Sequence, residues 1–269
     1  MSSAYDDARA AAFYDEYGER EWTRFEDGRT PAPSLDVHLD HLRRFVPAGA
    51  RVLDVGAGPG RFTLELGRLG CDVVVADISP AQLDLNRERL RAAELEARVV
   101  ERVVADVVDL TRWDDDSFDA CVCFGGPLSY VLDRADEALA ELVRVTRPGG
   151  HVLLSVMSLA GTVVHYLPML LDLVRRDGVE PNEAIVRTGV LPEGDDYGHL
   201  AMKLYRWSEL EALLSRHGTV VAAAAAGLLP GPQPDEPELR SFLSRVELQL
   251  ASEPGVVGSG QHIVAVIRT

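Results

Sequence analysis

Five short apolar runs alternate with helix-like stretches between Ala50 and Val156, and this alternation limits the fold more than any other feature. A strand that is covered on both faces is expected to be almost continuously apolar, as these runs are. The pattern therefore predicts a parallel sheet with helices on both faces. The runs are RVLDV at 51–55, DVVVAD at 72–77, RVVERVVAD at 98–106, FDACVCF at 118–124 and GHVLLSV at 150–156.

Helix signals lie between these runs. Ser79 followed by Pro80 predicts a helix cap and first turn after the second strand. A further helix is expected from about Asp133 to Thr146, where Pro148 and two glycines follow it.

Three other parts flank this block and complete four predicted regions. Residues 1–47 form an N-terminal helical cap segment whose amphipathic stretch begins at Ser34 as a helix cap, and residues 48–156 are the core. Residues 157–204 form a long insertion that we expect to be a cap or lid. Residues 205–269 complete the sheet with a helix that starts at a Ser208–Glu211 capping box, the strand TVVAAAA, a further helix and the final strand HIVAVIR.

Charge and hydropathy exclude several partners. The formal net charge is -16, and Lys203 is the one lysine among 27 basic residues, so no basic tract is present to neutralise a nucleic-acid backbone. The first twenty residues are acidic and lack the apolar centre of an export signal, and no apolar run reaches the ~18 residues of a membrane span. We expect a cytoplasmic protein without a nucleic-acid or membrane partner.

The three cysteines do not indicate a metal site. Cys71, Cys121 and Cys123 have neither the spacing of a disulfide framework nor that of a common zinc site. They are predicted to be buried thiols, and no metal is expected.

The stretch VLDVGAGPGRF, residues 52–62, carries the sharpest functional signal. A strand ends there in a turn with glycines at 56, 58 and 60, where a backbone without side chains can approach a ligand closely. Two other interpretations of this motif are a plain glycine-rich turn and a dinucleotide-binding site. Arg61 in place of a last glycine, Pro59 within the turn and Asp54 before it disfavour the dinucleotide.

The pattern D-x-G-x-G-x-G at 54–60 resembles the nucleotide-binding signature of the class I S-adenosylmethionine-dependent methyltransferases. The resemblance continues in order with Asp77 at the end of VVVAD, Asp106 in VVADVVDL and the turn RVTRPGG at 144–150 before the fifth strand. It implies that Asp77 accepts hydrogen bonds from the two ribose hydroxyls and that Asp106 faces the adenine amino group.

The resemblance also implies a fold and a ligand. The fold is an α/β, Rossmann-like, doubly wound sheet of about seven strands, the last antiparallel, with helices on both faces and a helical cap. The ligand is S-adenosyl-L-methionine, with S-adenosyl-L-homocysteine as product, at the carboxyl ends of the strands. The residues expected to bind it in and around the core are Asp54, Gly56, Ala57, Gly58, Gly60, Asp77, Ile78, Asp106, Val107, Phe124 and Gly125.

The N-terminal EWTRFE resembles a segment of small bacterial and archaeal methyltransferases that folds a helix over the donor. In that position Tyr14 and Arg24 are expected to meet the methionine carboxylate, for which a guanidinium is well shaped. The alternative is an ordinary amphipathic helix whose Trp22 packs on the core.

The fourth strand runs into CFGGPLSYV at 123–131, which in this family lies beside the sulfonium. Methyltransferases of adenine or glutamine amino groups carry Asn or Asp followed by Pro-Pro there, and Phe124-Gly125-Gly126-Pro127 departs from that pattern. The departure argues against those substrates. Tyr130 either lines the acceptor pocket or is a packing residue.

Methyl transfer requires in-line attack, so proximity and orientation can supply most of the acceleration. Where the acceptor needs a base, His165 and His199 in the insertion are the candidates, with surface or structural roles as the alternative. We predict a small-molecule acceptor and a monomer or homodimer. The alternatives are a protein or tRNA acceptor, or a module that binds S-adenosylmethionine without turnover.

Overall fold

The computed structural model describes residues 4–23, 32–194, 199–230 and 234–269 and contains a seven-stranded sheet of order β3-β2-β1-β4-β5-β9-β8. β9 runs antiparallel to both of its neighbours, whereas the first five strands are parallel, so the predicted α/β sheet is confirmed. Its strands are β1 (Arg51–Val55), β2 (Asp72–Asp77), β3 (Val99–Val104), β4 (Phe118–Cys123), β5 (Thr146–Met157), β8 (Thr219–Ala226) and β9 (His262–Arg268). A separate two-stranded hairpin contains β6 (Val190–Leu191) and β7 (Met202–Lys203).

Helices surround the sheet. Those before β5 are α1 (Asp7–Tyr17), α2 (Arg20–Thr23), α3 (Ala32–Phe45), α4 (Arg61–Arg68), α5 (Pro80–Ala92), α6 (Pro127–Tyr130) and α7 (Ala135–Val145). Those after it are α8 (Leu159–His165), α9 (Leu167–Asp177), α10 (Val179–Thr188), α11 (Trp207–Leu214) and α12 (Pro237–Leu250). Short 3-10 turns precede β3 at Glu96–Arg98 and α7 at Leu132–Arg134.

Alternate residues of the buried strands enter two separate apolar layers. Val52 and Val73 pack with Leu42 of α3 and Leu66 of α4 on one face. The neighbouring strand residues Leu53 and Val74 face the other side of the sheet. They pack there with leucines of α7 and α11, which are Leu139, Leu142, Leu210 and Leu214. Because both faces are covered, the strands are apolar throughout, as their sequence indicates. All three cysteines are buried, as predicted.

Several predicted boundaries are wrong. The Ser208–Glu211 capping box does not form; α11 begins earlier, with Arg206 as its cap residue and the Glu209 carboxylate accepting from the Arg206 backbone N–H. Ser34 is not a cap either, because α3 begins two residues before it. β5 starts at Thr146 rather than at 150, since its first residues extend the pairing with β4.

The insertion after β5 contains α8, α9, α10 and the β6–β7 hairpin. Ser158 fixes its start, because its hydroxyl accepts from Gly161 N at 3.1 Å and donates to Gly258 O at 2.6 Å. The chain returns to the sheet beside the same point, where Leu159 N donates to Tyr205 O at 2.9 Å. The insertion is therefore anchored at the carboxyl end of β5.

Among the described residues, no helix has both the length and the apolar character that a membrane span requires.

Gly161→Ala is expected to destabilise the chain by about 3 kcal/mol, because a Cβ at Gly161 would overlap the carbonyl of Gly260. Helix propensity alone would favour alanine in α8. Urea unfolding measures the effect, and Gly255→Ala is the matched control, since a Cβ at Gly255 meets no atom within 4 Å. Equal unfolding midpoints for the two variants would show that α8 does not pack against Gly260 in this way.

Candidate functional site

An open cleft of about 910 Å³, which includes the space at its mouth, lies at the carboxyl ends of the central strands. Most of the residues predicted to bind the donor or acceptor line it: Tyr14, Gly56, Ala57, Gly58, Asp77, Ile78, Asp106, Val107, Phe124, Gly125 and Tyr130. The strand order reverses between β1 and β4 at this edge, where doubly wound sheets bind their ligands.

The glycine turn after β1 needs glycine for steric reasons. Gly56 has φ +64°, and a Cβ on it would overlap the ring of Pro127. Gly60 has φ +96°, and a Cβ there would lie 2.9 Å from the Asn86 side-chain nitrogen. Both positions combine a left-handed backbone with close packing, so the turn can stay this near to α5 and α6 only without side chains.

Asp77, the last residue of β2, ties this turn to the start of α5. Its Oδ2 accepts from Gly58 N at 2.7 Å and its Oδ1 accepts from Ser79 N at 2.9 Å. Burial is the main cause that raises the pKa of Asp77 to about 6, the nearby Glu21 and Asp15 carboxylates raise it further, and the two backbone hydrogen bonds oppose the rise. Asp77 is thus a fixed, buried carboxyl group on the cleft wall.

Asp54 and Gly60 do not line the cleft; Asp54 lies behind the glycine turn. Its Oδ2 accepts from Thr63 Oγ1 at 2.6 Å, and Thr63 Oγ1 accepts from Asn86 Nδ2 at 2.9 Å. Burial raises the pKa of Asp54 to about 7, and the charge of Asp77 adds to the rise. Asp54 therefore supports the turn from the interior.

Asp106, which follows β3, also lines the cleft. Its Oδ1 accepts from Val108 N at 3.1 Å, and its Oδ2 accepts from the Tyr5 hydroxyl at 2.8 Å. Sequence reasoning missed Tyr5, because its partner is about a hundred residues away and no local pattern connects the two.

The N-terminal helix α1 is anchored to the start of α5. The Asp15 carboxylate accepts from Ser79 Oγ at 2.6 Å and from Ala81 N at 3.1 Å. Gln82 Nε2 donates to the carbonyls of Tyr14 at 3.0 Å and Gly18 at 3.1 Å. These bonds hold Tyr14 on the cleft, where its ring meets the Tyr130 ring edge-on at 5.9 Å between centroids.

Trp22 of α2 contacts cations and not the apolar core. The guanidinium groups of Arg61 and Arg89 lie over its ring, 4.0 and 4.3 Å from the centroid, and Arg61 Nη2 donates to Trp22 O at 2.7 Å. Arg61 lines the cleft and is a basic group that sequence reasoning used only to dismiss a dinucleotide site. Arg24, the predicted carboxylate partner, lies outside the described residues.

Neither candidate histidine lines the cleft. His165 Nδ1 lies 3.4 Å from Gln261 Nε2, and His199 Nδ1 lies 2.9 Å from Leu200 O. Burial lowers the pKa of both imidazoles, so both are neutral near pH 7. A catalytic role for either stays a prediction, whereas Tyr130 does reach the cleft wall.

These groups fit a nucleoside ligand. The glycine turn, Asp77 and Asp106 line one cleft, and Ile78 and Val107, which follow the two aspartates in sequence, add apolar surface to its lining. Carboxylate oxygens accept from hydroxyl and amino donors, and apolar side chains cover the face of a base.

Comparisons with known proteins match part of the chain to a family. Residues 52–150 match the family described as methyltransferase domain, which spans β1 to the start of β5. The chain is 40% identical over 111 residues to a demethylmenaquinone methyltransferase of Clavibacter sepedonicus, a match that covers 41% of this chain and 42% of that protein. The chain spans about half the length of the curated relatives it matches.

Solved structures share the whole architecture. The CcbJ methyltransferase of Streptomyces caelestis has a TM-score of 0.61 at 15% identity, covering 98% of this chain and 99% of that one. The cyclase SpnF has a TM-score of 0.60 at 15% identity, covering 99% and 97%. At this identity the likeness concerns the fold alone, and the same fold accommodates more than one reaction.

Asp54→Asn is expected to change how stability depends on pH. Because the pKa of Asp54 is raised from 3.8 to about 7 by folding, the group is protonated in both states below about pH 4 and contributes nothing there. Above that pH the group ionises more readily in the unfolded state, so the wild-type free energy of unfolding falls as pH rises from about 4 to about 7. The variant Asp54→Asn lacks this group and should lack this part of the fall.

Urea unfolding at several pH values measures this difference. The exposed Asp72→Asn, on the other end of β2, is the matched control and should follow the wild type. Parallel pH profiles for wild type and Asp54→Asn would contradict a buried carboxyl group with a raised pKa.

Proposed function

We propose that this chain is a class I S-adenosylmethionine-dependent methyltransferase and that it transfers the methyl group of S-adenosylmethionine to a small molecule; the match of residues 52–150 to the methyltransferase domain family supports the proposal. The observation that carries the proposal is the pair of fixed carboxyl groups that line one cleft. Asp77 accepts from the Gly58 N–H of the glycine turn, and Asp106 accepts from the Val108 N–H.

Each carboxylate keeps acceptor capacity for a ligand. An ionised carboxylate accepts about four hydrogen bonds. Asp77 uses two of these for Gly58 N and Ser79 N, so its remaining lone pairs are available to the ribose hydroxyls. Asp106 likewise uses two, for Val108 N and the Tyr5 hydroxyl, and keeps room for the adenine amino group.

Arg61, which lines the cleft together with Glu21, suits the methionine carboxylate. Arg61 follows the glycine turn directly, and its guanidinium is held by stacking on Trp22 and by the bond to Trp22 O. A planar, fixed guanidinium recognises a carboxylate well. We assign this contact to Arg61 together with Tyr14; Arg24 stays a prediction.

S-adenosylmethionine, when bound, supplies a sulfonium whose methyl group is electrophilic. The chain's part is to hold and enclose the reactants, because in-line transfer depends on near-attack geometry. The turn after β4 is fixed for this purpose by the Gly125 N–H, which donates to Ser155 Oγ at 2.9 Å. Its two glycines have φ of +89° and +97°, and the first of them, Gly125, lines the cleft.

A small-molecule acceptor fits the covered side of the site. A second hollow of about 320 Å³ shares Tyr5, Ala10 and Tyr130 with the cleft, and the Arg9–Glu193 ion pair connects α1 to the insertion at its edge. Such an enclosure accommodates a metabolite more readily than a folded macromolecule. The relative in Clavibacter sepedonicus is named for a quinone substrate, and the net charge of -16 disfavours tRNA.

Two other functions compete with this proposal. A protein acceptor would use the same donor site, and a module that binds S-adenosylmethionine without transferring its methyl group would retain the same fold. The cyclase SpnF shares the fold, and its name describes a reaction other than methyl transfer. The fold alone therefore does not exclude a module that binds S-adenosylmethionine without transferring its methyl group.

Incubation with S-adenosylmethionine labelled in its methyl group, and with cell extract separated by size, distinguishes these functions. We expect label in the small-molecule fraction. Label only in protein or RNA would show that the acceptor is a macromolecule and not a small molecule. Binding of S-adenosylmethionine without label in any fraction would favour the binding module.

Asp77→Asn provides the site control in that assay. The amide loses the negative charge and part of the acceptor capacity, so we expect transfer at low donor concentration to fall by roughly 100-fold. The matched Asp72→Asn lies on the same strand, exposed and away from the cleft, and should retain the wild-type rate.

A further inference from the structure

We propose that Tyr5 is a positioning residue that makes the base end of the cleft selective for an exocyclic amino group. The inference rests on the proposed function, because it takes Asp106 as the group that receives the adenine amino group. Tyr5 acts through that carboxylate, to which its hydroxyl donates at 2.8 Å.

The contact fixes the direction of the Asp106 carboxylate. Its two oxygens are held from different sides, Oδ1 by Val108 N at 3.1 Å and Oδ2 by the Tyr5 hydroxyl at 2.8 Å. A carboxylate with one partner alone would still rotate about its χ2 torsion, which is broad. With both partners its free lone pairs have a set orientation, and Tyr5 and Asp106 both line the cleft.

Tyr5 also determines which hydrogen-bonding atoms this wall offers. A tyrosine hydroxyl has one proton, and here Asp106 receives it, so the cleft meets only lone pairs of the hydroxyl oxygen. Burial and the neighbouring Asp106 raise the pKa of Tyr5, so the proton stays in place. Tyr5 and Asp106 therefore present hydrogen-bond acceptors to the cleft. These acceptors match the two donor hydrogens of an amino group and repel a carbonyl oxygen.

The backbone around Tyr5 is anchored independently of the hydroxyl. Tyr5 N donates to Asp133 Oδ1 at 3.3 Å, and the next residue, Asp6, caps α1 by accepting from Arg9 N at 2.9 Å. The anchors of α1 on α5 lie further along α1, at the Asp15 carboxylate and at the Tyr14 carbonyl, which accepts from Gln82. Removing the Tyr5 hydroxyl should therefore leave α1 in place.

The test compares two ligands on two variants by calorimetric titration. The ligands are S-adenosylhomocysteine and S-inosylhomocysteine, in which a carbonyl oxygen replaces the adenine amino group. The variants are Tyr5→Phe and the matched control Tyr17→Phe, which removes a hydroxyl at the end of α1, where the ring stacks on Phe13 outside the cleft.

We expect the wild type to prefer S-adenosylhomocysteine, since a site built to pair an NH group rejects the analogue that lacks it. In Tyr5→Phe the ratio of the affinities for S-adenosylhomocysteine and S-inosylhomocysteine should fall about tenfold, which is the effect of losing one hydrogen bond to a charged group. The preference of Tyr17→Phe should equal that of the wild type.

Each other result overturns a different statement. If Tyr5→Phe weakens both ligands by one common factor, or changes neither, Tyr5 does not set the selectivity and the inference is wrong. If the wild type binds neither ligand, the donor site itself, and hence the proposed function, is wrong. Circular dichroism of both variants identifies a folding defect, and the ratio of affinities is unaffected by the fraction of folded protein.

Discussion

The carboxylate of Asp77 joins three parts of the molecule that have to meet for the site to exist. It ends β2, accepts from Gly58 in the glycine turn, and accepts from Ser79 at the cap of α5. Ser79 and α5 in turn hold the N-terminal helix through Asp15 and Gln82. One buried carboxyl group therefore fixes the end of β2, the glycine turn and the N-terminal helix relative to one another. The same group is available to a ligand.

A chain of buried polar groups supports the turn from behind. Thr63 and Asn86 link Asp54 to α4 and α5, and Arg102 on β3 donates to Asn86 Oδ1 at 3.0 Å. Arg102 is in turn paired with Glu96. Each member has a partner, which is the condition under which buried polar groups stabilise one arrangement and do not loosen the core. The glycines can thus approach the ligand without making the turn flexible.

The sequence predicts the parts of this arrangement that local patterns encode. The strands and the glycine turn follow from apolar runs and from residues that are adjacent in the chain, and the resemblance to the family singles out Asp77 and Asp106. Contacts between distant segments have no such pattern, so the partnership of Tyr5 with Asp106 and the hold of Gln82 on α1 were missed. Ser79 caps α5 as predicted, whereas Ser208 has the right residue type but lies inside α11, which Arg206 caps.

Calorimetric titration of the wild-type chain with S-adenosylhomocysteine, and separately with NAD, tests the central claim most directly. Both ligands carry an adenosine, and the account predicts that S-adenosylhomocysteine binds in the micromolar range or tighter, which corresponds to about 8 kcal/mol of binding free energy, whereas NAD binds far more weakly. Tight binding of NAD without binding of S-adenosylhomocysteine would contradict the account and make the glycine turn a dinucleotide site.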